Sequence, residues 1–378
     1  MKIAIVYDLP YPYHPGGAER RFWELARRLA GRGHDVSLLT MKLWDGPDEF
    51  VQDGLRYVGV CPGIEPFNKR GNRSFTEPLV FARHLRRYLS RQTYDLIDCA
   101  EMPYLAAIAA KSAIRGERTR LVVTWHEARG LRGWLKYNGW TGIIAAAFER
   151  IVCRLTTTNI AISELTAGRC RRLLGMGGME VVGCGVDAKP AGSVAPRADQ
   201  ILHVGRLVRH KQVEWAIEAV SDISRDIPGY SLRIVGAGYA ESDLRALVTR
   251  LGLGGRVSFS GNVDDMTLRQ EYEHSRALLF PSTQEGFGMV LIEAMAAGTP
   301  AIALDAPNSA AGTIVSDGRD GLLVRSKSEM TQALRKLLTD PALWQRLSEG
   351  ALASARKHDW DTAVVPALEA YYRKVVGG

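Results

Sequence analysis

Residues 183–205 read GCGVDAKPAGSVAPRADQILHVG. Glycine, proline and alanine crowd the stretch as far as Gln200, no strand or helix period survives there, and an apolar run restarts at Ile201. On the amino-terminal side lie five short apolar runs, KIAIVY, DVSLLT, DLIDCA, RLVVTWH and TNIAIS; beyond it come QILHVG, SLRIVG, RVSFSG, ALLFPS and PAIAL. Runs of this length and composition read as parallel strands buried on both faces. Between them FWELARRLAGRGH and VEWAIEAVSDISR place apolar residues at a period near that of a helix. Strand and helix therefore alternate in two separate series. The expected architecture is α/β, with two Rossmann-like doubly wound domains, residues 1–185 and 186–360, facing a central cleft; a last helix, about 361–378, is expected to pack back on the first.

The bulk properties agree with two domains. The chain has 378 residues, and single cores stop growing near ~250. With 46% apolar and 24% charged residues and no low-complexity tract, the composition is that of a globular protein. KIAIVY is stopped by Asp8, too early for a signal segment, and the most apolar longer window, GWTGIIAAAFERIVCRL, is broken by Glu149 and Arg150, so any membrane contact is expected to be peripheral. Cys61, Cys99, Cys153, Cys170 and Cys184 are odd in number and form no CxxC pair, which argues against a disulfide framework or a zinc site and fits a reducing cytoplasm. The net charge of +8 is uneven: residues 1–180 hold 27 Lys and Arg against 18 Asp and Glu, the remainder 22 against 23. FARHLRRYLSR and ERRFWELARRLAGR carry much of this excess at helical spacing, either as solvated helix faces or as a surface for anionic lipid headgroups or a phosphorylated acceptor.

Doubly wound sheets bind ligands beyond the carboxyl ends of their strands, so the segments that follow the apolar runs hold the candidate residues. After the first run, DLPYPYHPGGAERRFWELA brings Gly16 and Gly17 to a helix entrance, where paired glycines either let backbone N–H groups approach an anion or merely form a tight turn. After the first run of the second half, HVGRLVRHKQ offers Arg206 and Lys211, cations suited to a pyrophosphate. After ALLFPS comes STQEGFGMVLIEAMAAGTPAIA, residues 282–303. There Gly286, Phe287 and Gly288 are expected to form the turn into a helix, with Glu285 at the helix entrance and Glu293 within it. A carboxylate accepts two hydrogen bonds from a vicinal diol, so two carboxylates so spaced suit one extended polyhydroxylated ligand; capping and salt bridging are the commoner fate of such residues.

GGAER, HVGRLVRHK and EGFGMVLIEAMAAGTPAIA, in that order, resemble the signature of the family 4 retaining glycosyltransferases, which have the GT-B architecture, and the resemblance extends over nearly the whole chain. It implies that Glu285 and Glu293 fill an E-x7-E element: Glu293 on the ribose diol of a nucleotide sugar, Glu285 with the backbone of Gly286, Phe287, Gly288 and Met289 on the transferred sugar. Arg206 and Lys211 resemble the diphosphate clamp, Gly17 the glycine whose amide meets the same phosphates, and Val263 in GNVDDM the segment beside the nucleobase. His126, in LVVTWHEARG, resembles the histidine near the sugar; Glu101 and Glu127 are weaker candidates. The implied reaction is metal-independent hexosyl transfer with retention, without cofactor, from a UDP-sugar to a lipid-linked or cell-surface glycan precursor. The expected location is the cytoplasm or the inner face of the cell membrane, with no nucleic acid partner. The loops GIEPFNKRGNRSFTEP and EARGLRGWLKYNGWTG are the expected acceptor selectors.

Two rival readings rest on other features. IVGAGYAESDL places Gly236 and Gly238 between a run and a helix, as in NAD-binding oxidoreductases, but Glu241 stands where a third glycine belongs. A GT-B protein that binds a nucleotide sugar without transferring it, an epimerase of the same architecture, or a transferase acting on a small soluble acceptor would share most of the motifs. No DxD motif follows a run; Asp264 and Asp265 are adjacent and lie in GNVDDM, the segment likened to the nucleobase loop.

Overall fold

The structure, a computed structural model, describes residues 1–14, 16–65, 76–116, 118–188 and 198–378. The chain forms two compact units, Met1–Gly183 with Val364–Gly378, and Cys184–Ala363.

The first unit is built on β1 (Lys2–Val6), β2 (Asp35–Lys42), β3 (Glu49–Gln52), β4 (Leu55–Pro62), β5 (Leu96–Ala100), β6 (Arg120–Trp125), β7 (Asn159–Ala161) and β8 (Glu180–Val181). Their order in the sheet is β3-β4-β2-β1-β5-β6-β7-β8. All neighbours run parallel except β3 and β4. Ile3, Ala4, Ile5 and Val6 of the central β1 are fully buried, as a strand covered on both faces requires. The helix Thr76–Leu89 buries Phe81, Leu85 and Leu89 against the alanine-rich helix Tyr104–Ala113, whose small side chains permit the close approach.

The second unit contains β9 (Gln200–Val204), β10 (Ser231–Val235), β11 (Val257–Phe259), β12 (Ala277–Phe280), β13 (Gln284–Glu285), β14 (Ala301–Leu304), β15 (Asn308–Ser309) and β16 (Gly321–Val324). Six of these form an all-parallel sheet, β11-β10-β9-β12-β14-β16, while β13 and β15 pair with each other.

Each of the ten apolar runs contains a strand. The antiparallel pair β3–β4 was not among them. It turns at Asp53 and Gly54, both at positive φ (53° and 78°), the Asp-Gly turn whose twist suits a tight hairpin. The strands β8 and β16 were likewise unread. Of the seam, residues 189–197 lie outside the described residues. No described helix is long and apolar enough to cross a membrane.

The carboxyl-terminal helix Val365–Gly377 belongs to the first unit. Its Tyr372 is fully buried and donates its hydroxyl hydrogen to Asp98 Oδ2 on β5 at 2.5 Å, while Thr124 on β6 donates to Asp98 Oδ1 at 2.7 Å. Burial pushes the Asp98 carboxyl above the ordinary carboxylate range, and these two hydroxyls partly offset that cost. The buried Arg21 donates to the carbonyls of Val182 (2.9 Å) and Gly183 (3.2 Å), fixing the chain where the first unit ends. The two ends of the second unit also meet: Val186 N–H donates to the His358 carbonyl at 2.8 Å, and Trp360 N–H to the Val186 carbonyl at 3.2 Å.

Replacing Tyr372 by Phe removes one of the two hydroxyl donors to a buried carboxyl group. A loss of about 1–3 kcal/mol is expected, read as a lower urea midpoint at pH 7 with an unchanged slope. An unchanged midpoint would show that the bond is not stabilising.

Candidate functional site

In the second unit, the segments that leave β9, β10 and β12 at their carboxyl ends are joined backbone to backbone. After β9, Gly205 N–H donates to the Val235 carbonyl and Leu207 N–H to the Ala237 carbonyl, each at 3.0 Å; Ala240 N–H returns a bond to the Leu207 carbonyl. Gly236 has φ 125°, and a side chain there would strike the Gly205 carbonyl; one at Gly238 would strike the backbone of Leu207. The pair that raised the dinucleotide reading is thus needed for close packing of two loops, and the loop held in this way carries Arg206, whose side chain is exposed.

Beyond it the chain makes one 3-10 turn, Arg209–Lys211, passes through Gln212 at φ 46°, and enters the helix Val213–Ile223. The carbonyl of His210 in that turn accepts from both the backbone N–H (2.9 Å) and the hydroxyl (3.0 Å) of Thr283 in the segment after β12. These bonds bring Lys211 against Glu285. The lysine ammonium makes an ion pair with Glu285 Oε1, and both side chains are largely buried. It also lies 5.7 Å from the ring centre of Phe280.

Glu285 is not at a helix entrance. It lies on β13, where pairing with Ser309 of β15 and the bond from Ala310 N–H to its carbonyl (3.1 Å) hold its backbone extended. The helix starts four residues later, at Met289–Ala296, after the turn Gly286, Phe287, Gly288. Gly288 adopts φ 98° as N-cap, which a residue with a side chain rarely does, and no side chain caps the helix. Phe287 is nearly buried, edge-on to His358 with ring centres 5.8 Å apart.

Glu293, on the helix Met289–Ala296, accepts the Tyr272 hydroxyl at 2.9 Å. Tyr272 belongs to the helix Asp265–His274, which follows Val263; its N-cap, Asp264, accepts from Thr267 N–H at 2.7 Å. That hydrogen bond holds the exposed Asp264 below its ordinary range. The helix that follows the segment expected near a nucleobase therefore carries the partner of the glutamate expected on a ribose, Tyr272, which sequence reasoning missed. Beneath the same edge, buried His203 on β9 has Nδ1 3.0 Å from the Leu279 carbonyl, and burial drives its pKa down to about 4.

In the first unit, Gly16 is the extended N-cap (φ −171°) of the helix Gly17–Gly31. Glu19 folds its carboxylate back over Gly16, where a side chain would collide, and pairs at 3.2 Å with His14, whose pKa this bond raises. Gly17 is the exposed first residue of the helix. His126 follows β6, and Glu101, buried at the end of β5, takes its Nδ1 at 2.9 Å. The rings of Phe22 and Tyr7 lie 5.4 and 6.4 Å from the imidazole. Glu127 instead pairs with Arg129 at 2.6 Å.

Most of one expected acceptor loop, residues 66–75, lies outside the described residues. The other forms a helical hairpin, Gly130–Asn138 and Gly142–Val152, with the turn Gly139–Thr141 at its tip. Buried Glu149 pins its base, accepting the N–H groups of Arg129 (2.9 Å) and Gly130 (2.8 Å). Trp140 at the tip is 82% exposed, with Leu131, Tyr137, Ile143 and Ile144 also exposed. The arginines of the helix Thr76–Leu89 are elsewhere: Arg83, Arg86 and Arg87 line a cavity with Arg115 at the edge where β5 and β6 begin, whereas the hairpin follows the edge where β6 ends.

Residues 188–353 match the model of Glycosyl transferases group 1, and residues 15–189 that of Glycosyltransferase Family 4. The phosphatidyl-myo-inositol mannosyltransferase of Mycolicibacterium smegmatis is 30% identical over 97% of this chain and 92% of its own. The glycogen synthase of Mycobacterium tuberculosis is 28% identical over 98% and 94%. Among solved structures, sucrose-phosphate synthase from Thermosynechococcus elongatus superimposes with TM-score 0.82 at 21% identity, covering 100% of this chain and 99% of that one. Anabaena HepE in complex with UDP and glucose gives 0.74 at 21% identity, with 99% of each chain covered.

His203 carries a pH dependence whose sign is fixed. Its folded pKa is depressed below the unfolded 6.5, so its contribution is complete above pH 6.5 and is lost as pH falls toward about 4, where the unfolded chain binds a proton that the folded chain refuses. Up to about 3 kcal/mol is at stake. Urea denaturation at pH 7 and pH 4.5 should show a smaller acid loss in His203→Gln than in the parent; equal losses would refute this origin.

Proposed function

This chain belongs to the GT-B glycosyltransferases of the family 4 and group 1 type, glycosyltransferases that act on nucleotide sugars, and we propose that it moves a hexose-type sugar, with retention, from a UDP-sugar to a hydroxyl of a lipid-linked or cell-surface glycan precursor. The observation that carries this reading is the convergence of Lys211, Glu285 and the Gly286–Gly288 turn on one edge of the second unit, with Glu293 supported from below by Tyr272.

A diphosphate competes for the Lys211 ammonium with Glu285. Once the phosphates hold Lys211, the Glu285 carboxylate is released to accept hydrogen bonds from the sugar, so each partner of the ion pair takes over one part of the donor. Arg206 adds positive potential at the phosphates, and Glu293 takes the ribose diol. As the bond from the anomeric carbon to the phosphate oxygen breaks, negative charge grows on the diphosphate, where these fixed donors stabilise it. The acceptor hydroxyl attacks from the face that the diphosphate leaves, and its proton passes to the departing phosphate oxygen, so the configuration is kept. Asp264, already committed as an N-cap, is not needed as a metal ligand, and the reaction runs without a divalent ion. UDP as nucleotide is supported by the HepE complexes, and a lipid acceptor by the name of the mannosyltransferase relatives.

The acceptor side of the reading rests on the first unit. The exposed apolar tip around Trp140, with Arg132 and Lys136 on the same hairpin, suits the interface of an anionic bilayer at the inner face of the cell membrane. A small soluble acceptor has no use for such a tip.

Release of nucleotide from UDP-, GDP- and ADP-sugars, with and without EDTA, tests the reaction. Release from a UDP-sugar, undiminished by EDTA, is expected; release that requires added metal, or none from any donor, would overturn it. Lys211→Ala should slow release about a hundredfold. Glu293→Gln should weaken calorimetric donor affinity by about 1.5–3 kcal/mol with little change in Tm. Cosedimentation with liposomes checks the membrane contact: binding to anionic vesicles that is lost in Trp140→Ser is expected, and no binding at low salt would leave the soluble acceptor standing.

A further inference from the structure

Glu101 and His126 meet 25 residues apart in sequence because β5 and β6 are parallel neighbours that end together. Glu101 is 1% exposed, and its two oxygens have separate tasks. Oε1 accepts the backbone N–H groups of His126 (3.0 Å) and Glu127 (3.2 Å); Oε2 faces His126 Nδ1 at 2.9 Å. The imidazole is further located by the Thr166 hydroxyl on the His126 carbonyl (3.2 Å) and by the flanking Phe22 ring. Its other nitrogen, Nε2, is buried and has no hydrogen-bond partner among the described residues.

A carboxylate only accepts hydrogen bonds, so the ring nitrogen facing it must carry a hydrogen. We infer that Glu101 is a positioning residue for His126: it fixes the hydrogen on Nδ1 and leaves Nε2 as a bare, oriented acceptor for a ligand hydroxyl, which on the reading above is a hydroxyl of the transferred sugar. The division of labour between the two oxygens makes the consequence of an isosteric change deducible. In Glu101→Gln the amide oxygen stays on the two backbone N–H groups, which need an acceptor. The amide NH2 then faces Nδ1, and two donors cannot share one bond. The ring must carry its hydrogen on Nε2 instead, turning the ligand-facing acceptor into a donor while the fold is kept, the same inversion by which an amide in place of the orienting carboxylate disables a serine protease triad.

Long-range 1H–15N correlation spectra of histidine-labelled full-length protein at pH 8.5 read this directly, because protonated and bare ring nitrogens resonate in separate regions. The His126 signals among the eight histidines are assigned by their loss in His126→Gln. The expected result is a hydrogen on Nδ1 in the parent and on Nε2 in Glu101→Gln, with equal Tm. A hydrogen on Nε2 in the parent, or an uninverted ring in the variant, overturns the inference. Turnover supplies the second arm: Glu101→Gln should lose about tenfold to a hundredfold in kcat for nucleotide release, the value of one hydrogen bond to the reacting species, with donor KM within about twofold. An inverted ring that turns over at the parental rate overturns the positioning role. A parent that releases nucleotide from no donor refutes the transferase reading alone, since the ring spectra still decide what Glu101 does.

Discussion

Parallel pairing of β9 with β10 and β12 obliges the chain to return to the same edge after every strand, and the candidate donor site is assembled from those returns. Lys211 and Glu285 stand 74 residues apart in sequence. They meet because the loops that carry them leave adjacent strands at one end of the sheet and are then bonded to each other through His210 and Thr283. The glycines serve this meeting. Gly236 and Gly238 let one loop lie on the backbone of the next, so that Arg206 is placed by main-chain hydrogen bonds rather than by its own flexible stem. The first unit repeats the principle with β5 and β6, whose ends bring Glu101 under His126.

The electrostatics are arranged with comparable economy. The most enclosed cation of the second unit's edge is already balanced by a carboxylate, while Arg206 stands exposed. Ordinary surface pairs add little to stability, whereas this largely buried pair leaves neither of its members as an uncompensated charge. His203, beneath the same edge, is held neutral by burial and so adds no positive charge of its own near neutral pH.

Strand identity was legible in the sequence because each run is short, apolar and bounded by turn residues. What was not read had a local signal or none. The Asp53-Gly54 turn announces the β3–β4 hairpin, yet EFVQ and LRYVGVCP are mixed in polarity, as an edge pair with one exposed strand must be. Glu285 was placed at a helix entrance because two-residue strands have no period; its extended backbone depends on Asn308 and Ser309, distant in sequence. Tyr272 sits on a helix whose pattern gives no hint that its hydroxyl reaches Glu293, and Glu149 reads as an ordinary charge interrupting an apolar helix. Gly236 and Gly238 were legible as special but not as to why, because tight packing and ligand approach ask for the same residue. Motif order singled out Lys211, Glu285 and Glu293, and tertiary contacts alone supplied their partners.

The carboxyl-terminal helix has a consequence for the order in which the molecule is completed. The second unit is an insertion between β8 and that helix, and its own two ends are bonded to each other at Val186, His358 and Trp360. A ribosome therefore finishes all of the inserted unit before it delivers the residue that Asp98 awaits, Tyr372. The unit begun first is closed last. Until then Asp98 on β5 is short of one partner, and the surface that Leu368, Tyr371, Tyr372 and Val375 pack on lacks its cover. Loss of the helix that carries Tyr372 would be felt at Asp98 on β5, in the middle of the sheet, rather than at its rim.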